Sequence, residues 1–308
     1  MTRHNRSMTN ERIPLLIDTD PGVDDALALL MAFNDARHEV VGLTIAAGNV
    51  GLEHTVANAL KLCEVCGVDV PVFPGTAEPL LHPAEDAAFV HGRDGFGDTG
   101  YAKASRQAES EHAALAILRL SHQYAGKLLL VALGPLTNVA LALKLDPTLP
   151  SRVARCLVMG GAVSARGNIS AAAEFNIAFD PEAAHIVFSA FPKIDVADWE
   201  AVIAHGFLHE DAERWLAAGG VLCRDLGAHP QVVARRARRT LARRRRAGDG
   251  LRAGAGRGER GAGAAAGGGT GWPPYPRQHR GRLEPPAWAP GQCRDPDALR
   301  PGPVRGPA

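Results

Sequence analysis

Two rhythms of apolar and polar positions alternate along the first two hundred residues. Short, nearly unbroken apolar runs read as strands: IPLLID (13–18), VVGLTIAA (40–47), VPVF (70–73), LLLVAL (128–133), RCLVMG (155–160) and KIDVA (193–197). Between them, apolar positions recur every three or four residues, as in helices, over 24–33, 53–66, 109–123, 136–144 and 181–190. Strands with almost no polar alternation are covered on both faces. The pattern therefore predicts an α/β fold with a doubly wound, mostly parallel sheet flanked by helices. One helix start is well written, with Asp180 as N-cap and Pro181 and Glu182 in the first turn. Residues 74–108 show little periodicity and read as a long loop, of the kind that often carries function.

The pattern stops near residue 220. From Val221 onward there is no Phe, Ile, Met, Asn, Lys or Ser, and Gly, Ala, Arg and Pro dominate. Such a stretch cannot bury a core. The chain therefore divides into a flexible N-terminal segment (1–12), an α/β domain (13–220) and a low-complexity tail (221–308) expected to be disordered. The residue types that vanish have A/T-rich codons and those that remain have G/C-rich ones, as when a GC-rich gene is read in the wrong frame.

Charge sharpens this division. The formal net charge of +1 hides a tail with 18 Arg against 6 Asp and Glu, hence +12, and a remainder of −11. Eight Arg fall within 235–246 and would attract phosphate. No aromatic platform or folded reader accompanies them, which argues against a nucleic-acid partner. No apolar run reaches 18 residues, so no membrane span is expected, and MTRHNRSMTNER lacks the apolar core of a signal peptide. Five sparse cysteines suggest reduced thiols and a cytoplasmic protein. Cys63 and Cys66 are spaced like half a zinc site, but no second pair follows and both fall in a helical pattern, so buried thiols are expected.

The candidate chemistry lies in LLIDTDPGVDDALALL (15–30), with Asp18, Asp20, Asp24 and Asp25 where a strand gives way to a helix. In parallel α/β sheets ligands bind at the carboxyl ends of strands. Capping and dipole effects account for one or two of these acids. The intervening Asp-Pro-Gly turn would fold all four carboxylates toward one point, where they repel unless a cation sits among them. Hard oxygen donors select Ca2+ or Mg2+.

This stretch, DTDPGVDDALAL, resembles the N-terminal signature of the inosine–uridine-preferring nucleoside hydrolases. The resemblance continues in order through AAGNV (46–50), HGRDGFGD (91–98), ALGPLTNVALAL (132–143), VMGGA (158–162) and AEFNIAFDPEAAHIVF (173–188). It implies a Rossmann-like open sheet and hydrolysis of the N-glycosidic bond of ribonucleosides, in nucleoside catabolism and salvage. It further implies a Ca2+ cofactor, a small-molecule nucleoside as partner, and a homodimer or homotetramer. Carried over residue by residue, it makes Asp20 the general base, and Asp20, Asp25 and the Leu133 carbonyl the Ca2+ ligands. Asp24, Asn49, Asn168, Glu174 and Asn176 match groups that bind the sugar, Met159 lines the sugar face, and His91 lies in the loop that closes near the substrate. Asp18 is expected only to support these groups. Read without the resemblance, Asn49 closes a turn, Glu174 and Asn176 alternate along an extended run and share a face, His91 is a loop residue, and Met159 belongs to the core.

The resemblance also implies a C-terminal His and Asp, the Asp being a further Ca2+ ligand, and neither motif appears in this sequence. Read one base later, LARRRRAGDG (241–250) permits WHAADALAMA, which is that His-x-x-Asp-Ala-x-Ala motif. A domain so interrupted is incomplete, and impaired activity is expected. Two other readings compete: an Mg2+-dependent phosphatase or phosphotransferase of the Asp-x-Asp type, which leaves AEFN and GPLTN unexplained, and an inactive or nucleic-acid-binding protein acting through its arginines.

Overall fold

The computed structural model describes residues 11–164 and 166–206. The N-terminal segment before residue 11, the end of the domain expected to reach 220, and the 221–308 tail lie outside the described residues. In chain order the elements are β1 (Ile13–Thr19), α1 (Val23–Asn34), β2 (His38–Ile45), α2 (Leu52–Cys66), β3 (Val72–Pro74), α3 (Ala88–His91), α4 (Ala113–Gln123), β4 (Leu128–Ala132), α5 (Thr137–Leu145), a 3-10 turn (Leu149–Ser151), β5 (Val153–Met159), α6 (Phe175–Phe179), α7 (Pro181–Ala190), β6 (Asp195–Ala197) and α8 (Trp199–Ala204).

The six strands form one parallel sheet in the order β3-β2-β1-β4-β5-β6. Every residue of β1 after Ile13 is buried, as a central strand covered on both faces requires. Its side chains alternate between two cores. Leu15 and Ile17 pack with Leu29 and Leu30 of α1 and Leu62 of α2. Leu16 packs with Ile117 of α4, Val139 of α5 and Val187 of α7. Helices therefore cover both faces, as the sequence pattern predicts. The chain winds outward from β1 to β3, then returns to lay β4 against the other side of β1. That reversal opens a crevice between the carboxyl ends of β1 and β4, where ligands of open α/β sheets bind.

Three expectations are corrected. The helix expected from 109 begins at Ala113, because the His112 side chain accepts the Ala114 N–H and caps it there. Glu174 and Asn176 do not alternate along an extended run. Glu174 is the N-cap of α6, its carboxylate accepting the N–H groups of Asn176 and Ile177. A helix of five residues is too short to show its period in sequence. The loop after β3 is not featureless: it contains α3, and His91 closes that helix. Asp180 caps α7 as expected, accepting Ala183 N–H at 2.9 Å.

Candidate functional site

The crevice is lined first by the turn after β1. Thr19 ends the strand, Asp20-Pro21-Gly22 reverses it, and α1 starts at Val23. Asp20 is about 1% exposed and Asp25 about 7%. Asp25 faces back over the turn. One of its oxygens accepts the Thr19 hydroxyl at 2.7 Å, and the other accepts Gly22 N–H at 3.1 Å and the Asn49 amide at 2.9 Å. Capping and site-building are thus the same bonds in Asp25.

Asp20 is the less satisfied partner. Its Oδ2 accepts the backbone N–H of Asn49 at 2.7 Å, while its buried Oδ1 has no hydrogen-bond partner. Two glycines make the slot it occupies. A methyl added at Gly48 would overlap Asp20 Oδ2, and one at Gly134 would overlap Oδ1. Burial, then the charge of Asp25, holds Asp20 well above the usual carboxylate range. Burial, then Asp24, pushes Asp25 up to about 7. Two buried acids that resist ionising side by side, one with an unpaired oxygen, form a site where a positive charge would be needed to ionise both.

The four aspartates do not all converge. Asp18 shares the strand parity of Leu16 and turns to the other core. Its Oδ1 accepts the Thr44 hydroxyl at 2.6 Å and the Asn138 amide at 3.0 Å. Asp24 is 80% exposed in its side chain and stands 3.7 Å from His91 Nδ1. The convergence expected from the turn therefore holds for Asp20 and Asp25 alone.

Asn49 braces the pair, donating to Asp25 and also to the Asp20 carbonyl at 3.1 Å. His91 is buried beside the turn, its Nδ1 accepting Val23 N–H at 3.3 Å. The Leu133 carbonyl, at the end of β4, accepts the Asn176 amide at 2.7 Å, and that amide also reaches the Met159 carbonyl and sulfur, each at 3.2 Å. Glu174 is buried, with Oε2 on Gly161 N–H at 3.0 Å, and burial raises its pKa. Glu174, Asn176, Met159 and Leu133 thus meet at one wall. Asn168 is exposed on the preceding loop and accepts Phe175 N–H at 2.8 Å.

Sequence reasoning passed over Thr19, Gly48, Gly134, Thr44 and Asn138. The two glycines were the findable ones, since each follows a strand closely in a quoted motif, where close approach of another group is the usual reason for Gly. Cys63 and Cys66 both lie in α2, Cys63 buried and Cys66 only half-buried. No described helix is long and apolar enough to cross a membrane.

A hard cation suits the bare oxygen, the paired carboxylates and a nearby carbonyl, because Ca2+ takes oxygen ligands. The set is partial: among the described residues no group of three or more His, Cys, Asp or Glu could hold a metal ion.

Comparison with known proteins gives the family. A protein of Oryza sativa subsp. japonica named probable uridine nucleosidase 1 is 44% identical over 208 residues, which is 66% of this chain and 64% of that protein. A solved plant nucleoside hydrolase superposes with a TM-score of 0.64 at 36% identity, over 66% of this chain and 65% of the other. The purine-preferring ribonucleoside hydrolase of Gardnerella vaginalis does so with a TM-score of 0.64 at 32% identity, over 66% of each. The chain thus spans slightly under two thirds of each of these relatives. The family model described as inosine-uridine preferring nucleoside hydrolase matches residues 15–253, and this chain belongs to that family.

Proposed function

We propose that this chain is built to hydrolyse the N-glycosidic bond of ribonucleosides, giving free base and ribose. The observation that carries the reading is the bare Oδ1 of Asp20, buried in a glycine-lined slot beside Asp25 at the switch point of the sheet. A general base needs a free acceptor oxygen at the reacting centre, held still by its other contacts. Asp20 has both: Oδ2 is tied to Asn49 N–H, and Oδ1 has no hydrogen-bond partner and would take the proton of the attacking water.

Asp20, Asp25 and the Leu133 carbonyl would hold Ca2+ among the described residues, and the frame-restored sequence would add a further carboxylate. When bound, Ca2+ supplies the positive charge that keeps both aspartates ionised and makes water more acidic. Asp24, Glu174, Asn176 and Asn168 would grip the ribose hydroxyls as donors and acceptors. Carboxylates and amide oxygens around the sugar favour the oxocarbenium-like transition state. Met159 would pack against the sugar, and His91 would bound the site on the α3 side.

The proposal stops at the ribonucleoside, because relatives of similar likeness carry both uridine and purine names. It includes a soluble cytoplasmic enzyme of nucleoside salvage, assembled as a homodimer or homotetramer. It also includes impairment of this polypeptide, because no His-Asp motif follows residue 220 in the frame as written. The test assays this chain and a version with WHAADALAMA restored, with calcium, for base and ribose released from uridine and inosine. Release by the restored chain and little by the other supports the reading. Normal turnover by the chain as written refutes the impairment. Phosphate-ester cleavage without nucleoside cleavage refutes the activity.

A further inference from the structure

We propose that Asn58 is a positioning residue that locks the aspartate turn to the segment carrying His91, so that metal and substrate groups are set by one side chain. Asn58 lies mid-way along α2 and is fully buried, in a stretch to which the sequence assigns no function. Its amide nitrogen donates to Pro21 O, inside the Asp20-Pro21-Gly22 turn, at 2.8 Å and to Asp94 O at 3.0 Å. Its Oδ1 accepts the Tyr101 hydroxyl. One residue thus touches the turn between Asp20 and Asp25, the centre of the 91–98 segment, and Tyr101 just beyond that segment.

The segment is shaped to receive it. Asp94 folds the loop internally, accepting Phe96 and Asp98 N–H groups, each at 2.8 Å. Phe96 is buried and packs on Tyr101, with ring centroids 5.5 Å apart. Gly95 has φ of +79°, and a methyl there would lie 2.6 Å from Asn58 Nδ2 and 3.4 Å from Pro21 O. The glycine in HGRDGFGD therefore lets the loop seat on the turn and on Asn58 together. His91 then meets α1 through Val23 N–H.

The inference rests on the proposed function for its purpose, but its test needs neither metal nor nucleoside. Amide hydrogen exchange is measured on the full chain and on two variants, Asn58→Asp and Gly95→Ala. Asn58→Asp keeps the acceptor for Tyr101 and removes both donated bonds. Gly95→Ala pushes on Asn58 from the loop side, so it reports even if the first variant does not fold. Exchange should rise about tenfold or more at 20–23 and 91–98 together, tenfold being the factor for about one net hydrogen bond of the two removed, with β1 and β4 changing less. Loosening confined to 91–98, or a uniform rise across the strands, overturns the coupling. In the frame-restored chain, Asn58→Asp should also weaken calcium binding about tenfold. Tyr101→Phe, which leaves both amide bonds in place, should not. Equal weakening by the two reduces Asn58 to a structural residue.

Discussion

Replacing Asp18 by Asn separates the supporting acid from the site and has a calculable signature. Asp18 is fully buried, and burial pushes its carboxyl up from 3.8 to about 7 despite hydrogen bonds from Thr44 and Asn138. Between those values the folded chain holds a proton that the unfolded chain releases, so stability falls as pH rises from about 4 through about 7 and is flat above. Across pH 5 to 8 this single group contributes a fall of about 3 kcal/mol. Asn keeps the oxygen that accepts from Thr44 and Asn138 but adds an amine facing the place of the unpaired Oδ2. That orphan costs about 1–3 kcal/mol at every pH. The variant should therefore be less stable than the parent at pH 5 and close to it at pH 8. Urea unfolding in EGTA at the two pH values reads both effects. Calcium affinity, measured in the frame-restored chain, should be nearly unchanged, because Asp18 faces the other core. An undiminished pH slope in the variant, or loss of calcium binding, would refute this division of labour among the aspartates.

Further consequences follow from the same contacts. Gly134→Ala should place a methyl on Asp20 Oδ1, cost about 1–3 kcal/mol in urea unfolding and abolish calcium binding by calorimetry. Asp180 accepts Thr137 hydroxyl at 2.7 Å and Leu80 N–H at 2.9 Å besides capping α7, so Asp180→Ala should lose about 3 kcal/mol or more in the same measurement. Burial pushes the Cys63 thiol up to about 11 and that of Cys156 up to about 12, so mass mapping after brief thiol labelling at neutral pH should find Cys66 modified before either.

The sheet was legible because its central strands are buried on both faces and its longer helices run two turns or more, so their periods stand out. IPLLID and PEAAHIVFSA show this best, and the helix expected at 181–190 is α7 itself. The crowding of acids after β1 also pointed to the right end of the sheet. Period alone could not sort those acids. Asp18 and Asp20 have the same parity, and only the turn after Thr19 separates their surroundings. The capping role of Glu174 does not show in the period because α6 spans five residues, less than two turns. The roles of Gly48, Gly134 and Asn58 depend on what approaches them from distant segments, which no local pattern encodes.

The most direct test is the rate of base release from uridine and inosine by the frame-restored chain and by its Asp20→Asn variant, at saturating calcium. Asn retains an acceptor for Asn49 N–H but cannot take a proton at the position of the unpaired Oδ1. The restored chain should release base and ribose in equal amounts, and the variant should be slower by about 10²–10⁴-fold. A variant as fast as its parent, or a calcium-loaded restored chain that cleaves neither nucleoside, would contradict the assignment of Asp20 and with it the proposed activity.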